Sequence, residues 1–276
     1  MRLATIIMLI LISISLFAQK LPQVQQVSLR APTNVKVDGK PTEWGSKMQA
    51  FNKTTNMFYT IANDDKKLYL IIRSPDQHAG KLVTGITFVI QPTGVHNDKG
   101  ARLVKYPYFE TPGENIWFAF TPQSYSELKG VEIEKDPDGK KTEALIKQAN
   151  KKLATLSKWI YTRGIIGKDS VISVYNDEGV IAANGFGSDK IYTSELSIDL
   201  KLLGLSVDKS TGFSYHLSVN GEPTKYYKGL VNWRANVQRP PNQTDAQFQE
   251  MVGRMEDIYT AASMTLDFWG EYTLAK

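Results

Sequence analysis

The chain contains no cysteine among its 276 residues. It therefore forms no disulfide bonds, and the packing of its core must hold the fold together. Thiol catalysis, thiolate zinc sites and iron–sulfur clusters are excluded for the same reason. Any functional site has to be built from oxygen, nitrogen, thioether or aromatic groups.

Basic charge is not concentrated anywhere in the chain. Lysine and arginine number 33 against 28 acidic residues, which gives a formal net charge of +5. The densest basic stretch is diluted by Glu143 and by apolar neighbours, and comprises Lys147, Lys151, Lys152 and Lys158. Proteins that bind nucleic acids usually carry a concentrated basic patch. We therefore expect no nucleic-acid partner.

Recognisable catalytic motifs are also lacking. The three histidines form no His-Glu-x-x-His pattern and are widely separated: His78, His96 and His216. No Gly-x-Ser-x-Gly nucleophile turn occurs. A glycoside hydrolase needs two carboxylates across a cleft, and the acids on predicted loops are Glu110, Glu114, Asp136 and Asp138. Nothing in their spacing selects a pair, so the sequence predicts a protein that is not an enzyme.

A charged, then apolar, then small-residue pattern opens the chain. Arg2 precedes the apolar run Leu3–Phe17, and the stretch Ser15–Ala18 has a small residue at each end. This pattern predicts a cleaved signal peptide over residues 1–18, with a retained membrane anchor as the alternative. The run of about 15 residues is shorter than the ~20 that a spanning helix needs. Because no cysteine and no second long apolar run follow, we expect residues 19–276 to be secreted or periplasmic, without a lipid anchor or membrane span.

Most of the remaining chain has the pattern of short β-strands. These segments are rich in β-branched and aromatic residues and are bounded by Gly, Pro, Asn and Asp. They are Val35–Val37, Met57–Ala62, Leu68–Arg73, Thr84–Ile90, Ile116–Phe120, Val171–Tyr175, Tyr192–Asp199, Phe213–Val219 and Met264–Tyr272. The stretch Asn63–Lys66 between two of them suits a tight hairpin turn. The sequence therefore predicts a mainly β protein, an antiparallel β-sandwich.

Two segments have helical instead of strand periodicity. Apolar residues recur at helical spacing over residues 141–159 and again over residues 244–262. Either Asn242 or Thr244 is suited to cap the second helix. We interpret both as helical insertions in a single domain that spans residues 19–276.

Four short motifs carry a resemblance to a known family. In chain order they are Val35–Trp44, which includes Val-Asp-Gly and Glu-Trp, then Ala62–Leu70, Tyr192–Leu205 and Asp267–Tyr272. Together they resemble the family 9 carbohydrate-binding modules and their DOMON-like relatives, in the form of a long, exported, stand-alone bacterial variant. The resemblance implies a β-sandwich that binds glycans between paired tryptophans and that carries structural calcium in some members.

The best candidate for a sugar-stacking residue is Trp233. It lies in the aromatic and polar stretch Tyr226–Asn236, which reads as a loop, and core packing is its alternative role. We predict that Trp233 stacks on a sugar ring while Asn232 and Arg234 bond its hydroxyl groups. Trp117 can lie on either face of its predicted strand, and Trp159 and Trp269 are predicted to be core residues. The second tryptophan of a clamp is not identifiable.

Four further motif residues each have two possible roles. Trp44 is predicted to plug one end of the sandwich, with ligand stacking as the alternative. Asp64 and Asp65 form either a solvated hairpin tip or part of a calcium site. Glu195 alternates with apolar neighbours on its strand, so it either is exposed or faces a polar site, and we favour exposure.

The sequence thus predicts an exported, non-enzymatic module that binds carbohydrate or glycan-derived ligands. The alternative is a structural or protein-interaction protein of the cell envelope that uses the helical insertions as its contact surface. An unrecognised glycoside hydrolase is the third reading.

Overall fold

The structure is a computed structural model that describes residues 21–45, 48–74, 85–109, 136–219 and 223–276. Side chains are not described for residues 223–228 and 258–263. The predicted signal peptide, the predicted strand Ile116–Phe120, His78, Glu110 and Glu114 lie outside the described residues.

The described residues form two antiparallel sheets with 11 strands in total. Sheet A has the strand order β1-β2-β3-β9-β8 and sheet B has the order β11-β10-β4-β5-β6-β7. The strands are β1 Ala50–Asn52, β2 Met57–Asn63, β3 Lys67–Ser74, β4 Ile86–Pro92, β5 Arg102–Tyr108, β6 Trp159–Arg163, β7 Asp169–Ser173, β8 Val180–Phe186, β9 Tyr192–Asp199, β10 Gly212–Val219 and β11 Leu266–Thr273. The predicted mainly β, sandwich-type fold is confirmed.

The main core lies between the two sheets. On β9, Leu196 and Ile198 point into it because alternate residues of a strand face the same side. Tyr59 of β2 and Tyr215 of β10 join the sheets through their hydroxyl groups, whose oxygen atoms are 2.8 Å apart. The backbone N–H group of Gln25 also donates to the Tyr59 hydroxyl group at 2.9 Å, so the buried hydroxyl pair is satisfied within the core.

Helices interrupt the strand order at two places. Helix α1, Lys140–Leu156, follows β5 and buries Ala149 and Leu153 against the core. Helices α2, Pro223–Asn236, and α3, Asp245–Ser263, lie between β10 and β11 and contact each other. Thr244 caps α3 through a capping box with Gln247, as one of the two predicted caps. No helix within the described ranges is both long and apolar enough to cross a membrane.

Helix α2 corrects the sequence analysis, which placed a loop there. Its residues combine aromatic, polar and glycine positions with no clear apolar stripe, so periodicity gave no signal. Four strands were also missed: β1, β5, β6 and β8. Pro107 in β5, and Ala, Asn and Gly in β8, are poor strand formers, and pairing with neighbouring strands overrides their local preference.

The segment Leu29–Trp44 covers the outer face of sheet A, the face away from the main core, whereas Val24 and Gln25 before it lie along the edge of β2. Leu29, Ala31 and Val35 pack there with Trp44 against a small cluster that includes Ile71. The predicted strand Val35–Val37 is wrong, because this stretch has no regular strand pairing. Trp44 is buried as predicted, but it covers sheet A and does not plug the end of the sandwich.

Candidate functional site

Glu195 of β9 binds the segment that covers sheet A. Its Oε2 atom accepts hydrogen bonds from the backbone N–H groups of Asp38, at 3.0 Å, and Gly39, at 2.8 Å. Its Oε1 atom accepts one from Nε1 of Trp44 at 2.9 Å. The side chain is buried, so the prediction that it is exposed is wrong. Two motifs that are far apart in the sequence, Val35–Trp44 and Tyr192–Leu205, therefore meet in one closed structural site.

Burial dominates the electrostatics of this carboxyl group. Loss of solvent raises the pKa of Glu195 from its ordinary 4.5 to about 7, although the three donated hydrogen bonds oppose the shift and stabilise the charged form. Both oxygen atoms already accept hydrogen bonds within the protein, and the residue is only 2% exposed. We conclude that Glu195 anchors the covering segment and does not contact a ligand.

The raised pKa of Glu195 predicts that stability falls between pH 5 and pH 8. The folded state holds the proton more tightly than the unfolded chain, so this group's contribution is complete below pH 4.5 and is lost as pH rises through about 7. The full loss is about 3 kcal/mol. Urea unfolding at several pH values, compared with Glu195→Gln, measures it. Parallel pH profiles for the two proteins would contradict the prediction.

The outer face of sheet B carries an exposed aromatic surface. Tyr108 of β5 and Tyr161 of β6 stack with ring centroids 5.2 Å apart and an interplanar angle of 29°. Trp159 lies opposite Tyr108 in the register of β5 and β6, and it is 45% exposed. We call Tyr108, Trp159 and Tyr161 the aromatic platform. The prediction that Trp159 is a core residue is wrong, because α1 ends at Leu156 and Trp159 opens a strand on its outward side.

A bulge in β5 creates the platform. Lys105 pairs with Tyr161, but the register then shifts, so that Tyr108 and not Pro107 lies opposite Trp159. Bulges of this kind turn a side chain towards a different face of a sheet. Without the extra residue, Tyr108 would not share a face with both Trp159 and Tyr161.

Charged groups border the platform. The Nζ atom of Lys105 lies 5.9 Å from the centroid of the Tyr108 ring. The hydroxyl group of Tyr161 donates to Asp169 of β7 at 2.9 Å. Arg163 is two residues beyond Tyr161 on β6 and therefore lies on the same face. The platform thus combines flat apolar rings with polar groups at its edge, as ligand sites usually do.

A second cluster lies at the opposite edge of the same face. Trp269 of β11 stacks on His216 of β10 with ring centroids 4.6 Å apart and an interplanar angle of 4°. Nδ1 of His216 is 3.1 Å from Oδ1 of Asp98, and Nε2 is 3.3 Å from Oδ1 of Asp267. Trp269 was predicted to be a core residue, but it is half-buried on this outer face.

His96 completes this histidine–tryptophan cluster. Its ring centroid is 5.2 Å from that of Trp269, and its Nε2 atom is 2.9 Å from Oε1 of Glu271. Within the ranges that the structure describes, no group of three or more histidine or acidic residues has the arrangement of a metal site. The cluster therefore presents aromatic rings and carboxylates. A protonated histidine partly neutralises the negative charge of these carboxylates.

The predicted ligand residues lie together on α2 but do not converge. Trp233 is half-buried, whereas Asn232 and Arg234 are exposed, and Arg234 forms an ion pair with Glu256 of α3. Consecutive residues of a helix point in directions about 100° apart. A loop would have allowed the three side chains to face one ligand, and the helix separates them.

Asp64 and Asp65 form the tip of the β2–β3 hairpin, as predicted. The Oδ1 atom of Asp64 accepts from the N–H groups of Lys66 and Lys67, and Asp65 forms an ion pair with Arg30. The hydrogen bonds outweigh the effect of burial and lower the pKa of Asp64. Among the described residues, no group of three or more histidine or acidic side chains is arranged to hold a metal ion, and calcium binding stays a prediction.

A cleft of about 640 Å³ lies beside the start of α1. Its described walls include Glu143, Asp189 and Asp136, but no aromatic ring. The Asp136 carboxylate already accepts hydrogen bonds from the backbone N–H groups of Lys141 and Thr142. A second cleft, of about 420 Å³, is lined by Asp65, Asp199 and Asp208. Both clefts are candidate places for the carboxylate pair that a glycoside hydrolase, the third hypothesis, would need.

Comparison with known proteins finds no relative: no protein-family model matches the chain, and no curated protein matches it. The resemblance to the family 9 carbohydrate-binding modules therefore depends on the motifs alone. The remaining evidence on function lies in the aromatic and charged groups that the fold places on its surface.

Proposed function

We propose that the protein is an exported, non-enzymatic module that binds carbohydrate on the aromatic platform of sheet B. The observation that carries this proposal is the exposure of Trp159 beside the stacked rings of Tyr108 and Tyr161. Trp159 is exposed and the two tyrosines beside it are partly buried, so the three rings form a contiguous, partly apolar surface of the kind that often binds a ligand.

The chemistry of pyranose sugars suits such a surface. Their axial C–H groups form an apolar face that packs on aromatic rings, while their hydroxyl groups need hydrogen-bonding partners at the edge. The platform offers rings on two adjacent strands, and Lys105, Arg163 and Asp169 provide donors and acceptors around them. Because the rings sit on paired strands, they are held in place before a ligand arrives, which limits the entropy lost on binding.

The sequence supports the same function independently. The predicted signal peptide indicates export, and the motif resemblance implies glycan binding. The proposed surface differs from the predicted one, since Trp159 replaces Trp233 as the principal stacking residue.

The α2–α3 hairpin favours the envelope-interaction reading as a second candidate. Its helices pack on each other, and Val231 of α2 is 47% exposed. An apolar residue on a protruding hairpin suits contact with a protein partner. Absence of glycan binding at the platform would favour this envelope-interaction function.

Trp159→Ala tests the proposed function. We expect it to weaken binding of a glycan from a soluble panel at least about tenfold, because a central aromatic contact contributes more than about 1.4 kcal/mol. Isothermal titration calorimetry on the purified protein measures the affinity, and circular dichroism checks the fold.

Trp233→Ala is the matched variant, since it removes the same side chain from the predicted helical site. Loss of binding with Trp233→Ala and not with Trp159→Ala would move the site to α2. Absence of binding to every glycan would contradict the proposed function altogether.

A further inference from the structure

We infer that the platform recognises a carboxylate-bearing glycan, a polyuronate, and that Arg163 selects it. This inference rests on the proposed function, because it names the ligand class of the same site. Arg163 lies on the outer face of β6, where it is the next residue on that face after Tyr161.

The Arg163 guanidinium group is held in place but mostly unused. One Nη2 atom donates to the backbone oxygen of Asp98 at 3.0 Å. A guanidinium group has five N–H donors, and across the described ranges no carboxylate forms an ion pair with this one. It therefore presents several N–H donors beside the aromatic rings, with its orientation already set by the Asp98 contact.

The neighbouring acids do not form an ion pair with Arg163. Asp169 lies directly opposite Arg163 in the register of β6 and β7, but its Oδ1 atom accepts from the Tyr161 hydroxyl group. Among the described residues, the guanidinium group is thus left without an ion-pair partner. A guanidinium group in this state binds a carboxylate in preference to a neutral hydroxyl group, because two parallel N–H bonds to a carboxylate are charge-assisted.

Lys105 adds positive charge on the other side of Tyr161. It is paired with Tyr161 across β5 and β6, and its ammonium group lies near the Tyr108 ring. Arg163 therefore lies beside Tyr161 along β6, and Lys105 lies beside Tyr161 on the neighbouring strand β5. A sugar ring stacked there would have its substituents within reach of positive charge.

The opposite edge of sheet B limits where an anionic ligand can bind. Asp98, Asp267 and Glu271 surround the histidine–tryptophan cluster and repel a carboxylate when the histidines are neutral. Asp98 also lies beside Arg163, because its backbone oxygen accepts from the guanidinium group, so the acidic edge begins at the Arg163 end of the platform. A carboxylate-bearing chain is therefore expected to run from Arg163 towards Tyr161 and Trp159, away from these acids.

The test compares a galacturonate oligomer with its methyl ester, which has the same rings without the charge. We expect the acid to bind about tenfold more tightly than the ester, and Arg163→Gln to remove this preference while the ester binds as before. Arg163→Lys retains the charge without the planar donor pair and should keep part of the preference. Lys209→Gln is the control, because it removes an exposed cation away from this face.

The outcomes separate this inference from the proposed function. Equal binding of acid and ester, both lost in Trp159→Ala, would overturn the polyuronate assignment and leave carbohydrate binding intact. Equal loss in Arg163→Gln and Lys209→Gln would show unspecific charge attraction and overturn the role of Arg163. Binding of the acid that Trp159→Ala does not change would overturn the platform as its site. Thermal unfolding of each variant verifies that the fold is unchanged.

Discussion

Replacing Glu195 with alanine is expected to lower the free energy of unfolding by about 3–5 kcal/mol at pH 6, where the pKa of about 7 keeps the group mostly protonated. The alanine leaves three donors without an acceptor: the N–H groups of Asp38 and Gly39 and the indole N–H of Trp44. Each buried donor that loses its partner costs about 1–3 kcal/mol. The cost is largest if the covering segment stays in place and smaller if it detaches and the donors reach water.

Glu195→Gln keeps the size of the side chain and one accepting oxygen but replaces the other oxygen with an NH₂ group. Its amide oxygen still accepts from both backbone N–H groups, but its NH₂ group then faces the indole N–H of Trp44, a donor against a donor. We expect a loss of about 1–2 kcal/mol. Urea unfolding followed by circular dichroism measures both variants.

Glu178→Ala is the control for Glu195→Ala, because Glu178 is exposed on a turn. It should change stability by less than about 0.5 kcal/mol. If Glu195→Ala were as mild as Glu178→Ala, the Glu195 side chain would not anchor the covering segment.

Gly39→Ala is expected to destabilise the fold by more than about 3 kcal/mol. Gly39 has a φ angle of +80°, and an added Cβ atom would lie 2.5 Å from the backbone carbon and 2.7 Å from the backbone oxygen of Asn184. Both atoms belong to β8, whose pairing with β9 prevents it from moving aside. The turn must lift away, and the hydrogen bonds to Glu195 are then lost as well.

Gly94→Ala controls for backbone strain alone. Gly94 has the same φ angle of +80°, but no atom lies within 4 Å of an added Cβ. It should cost about 1–2 kcal/mol, the penalty for a left-handed residue with a side chain. Equal effects of Gly39→Ala and Gly94→Ala would show that β8 yields to the added methyl group.

A double variant tests whether the two sites act as one. Since lifting the turn already breaks the bonds to Glu195, Gly39→Ala with Glu195→Ala should cost clearly less than the sum of the single changes. Limited proteolysis within residues 21–45 gives a second readout, because detachment of this segment exposes its backbone. Additive costs and unchanged protection would contradict the coupling.

Local patterns predicted the elements that neighbouring residues determine. Strand β9 was predicted with its observed bounds, because its alternation is regular over the whole stretch. The β2–β3 hairpin followed from the turn residues Asn63–Lys66, and α3 from its apolar spacing and the cap at Thr244. The signal peptide and the function stay predictions.

The sequence by itself thus determined the mainly β class, two of the helices and the hairpin, because each depends on residues close together in the chain. Only the tertiary structure decided the environment of Glu195, whose partners Asp38 and Trp44 are 157 and 151 positions away. It also decided the platform, because a bulge in β5 and the pairing of β5 with β6 bring Tyr108 to Trp159 and Tyr161. Alternation shows which residues share a face of one strand, but it does not show which strands become neighbours or which face stays open to solvent.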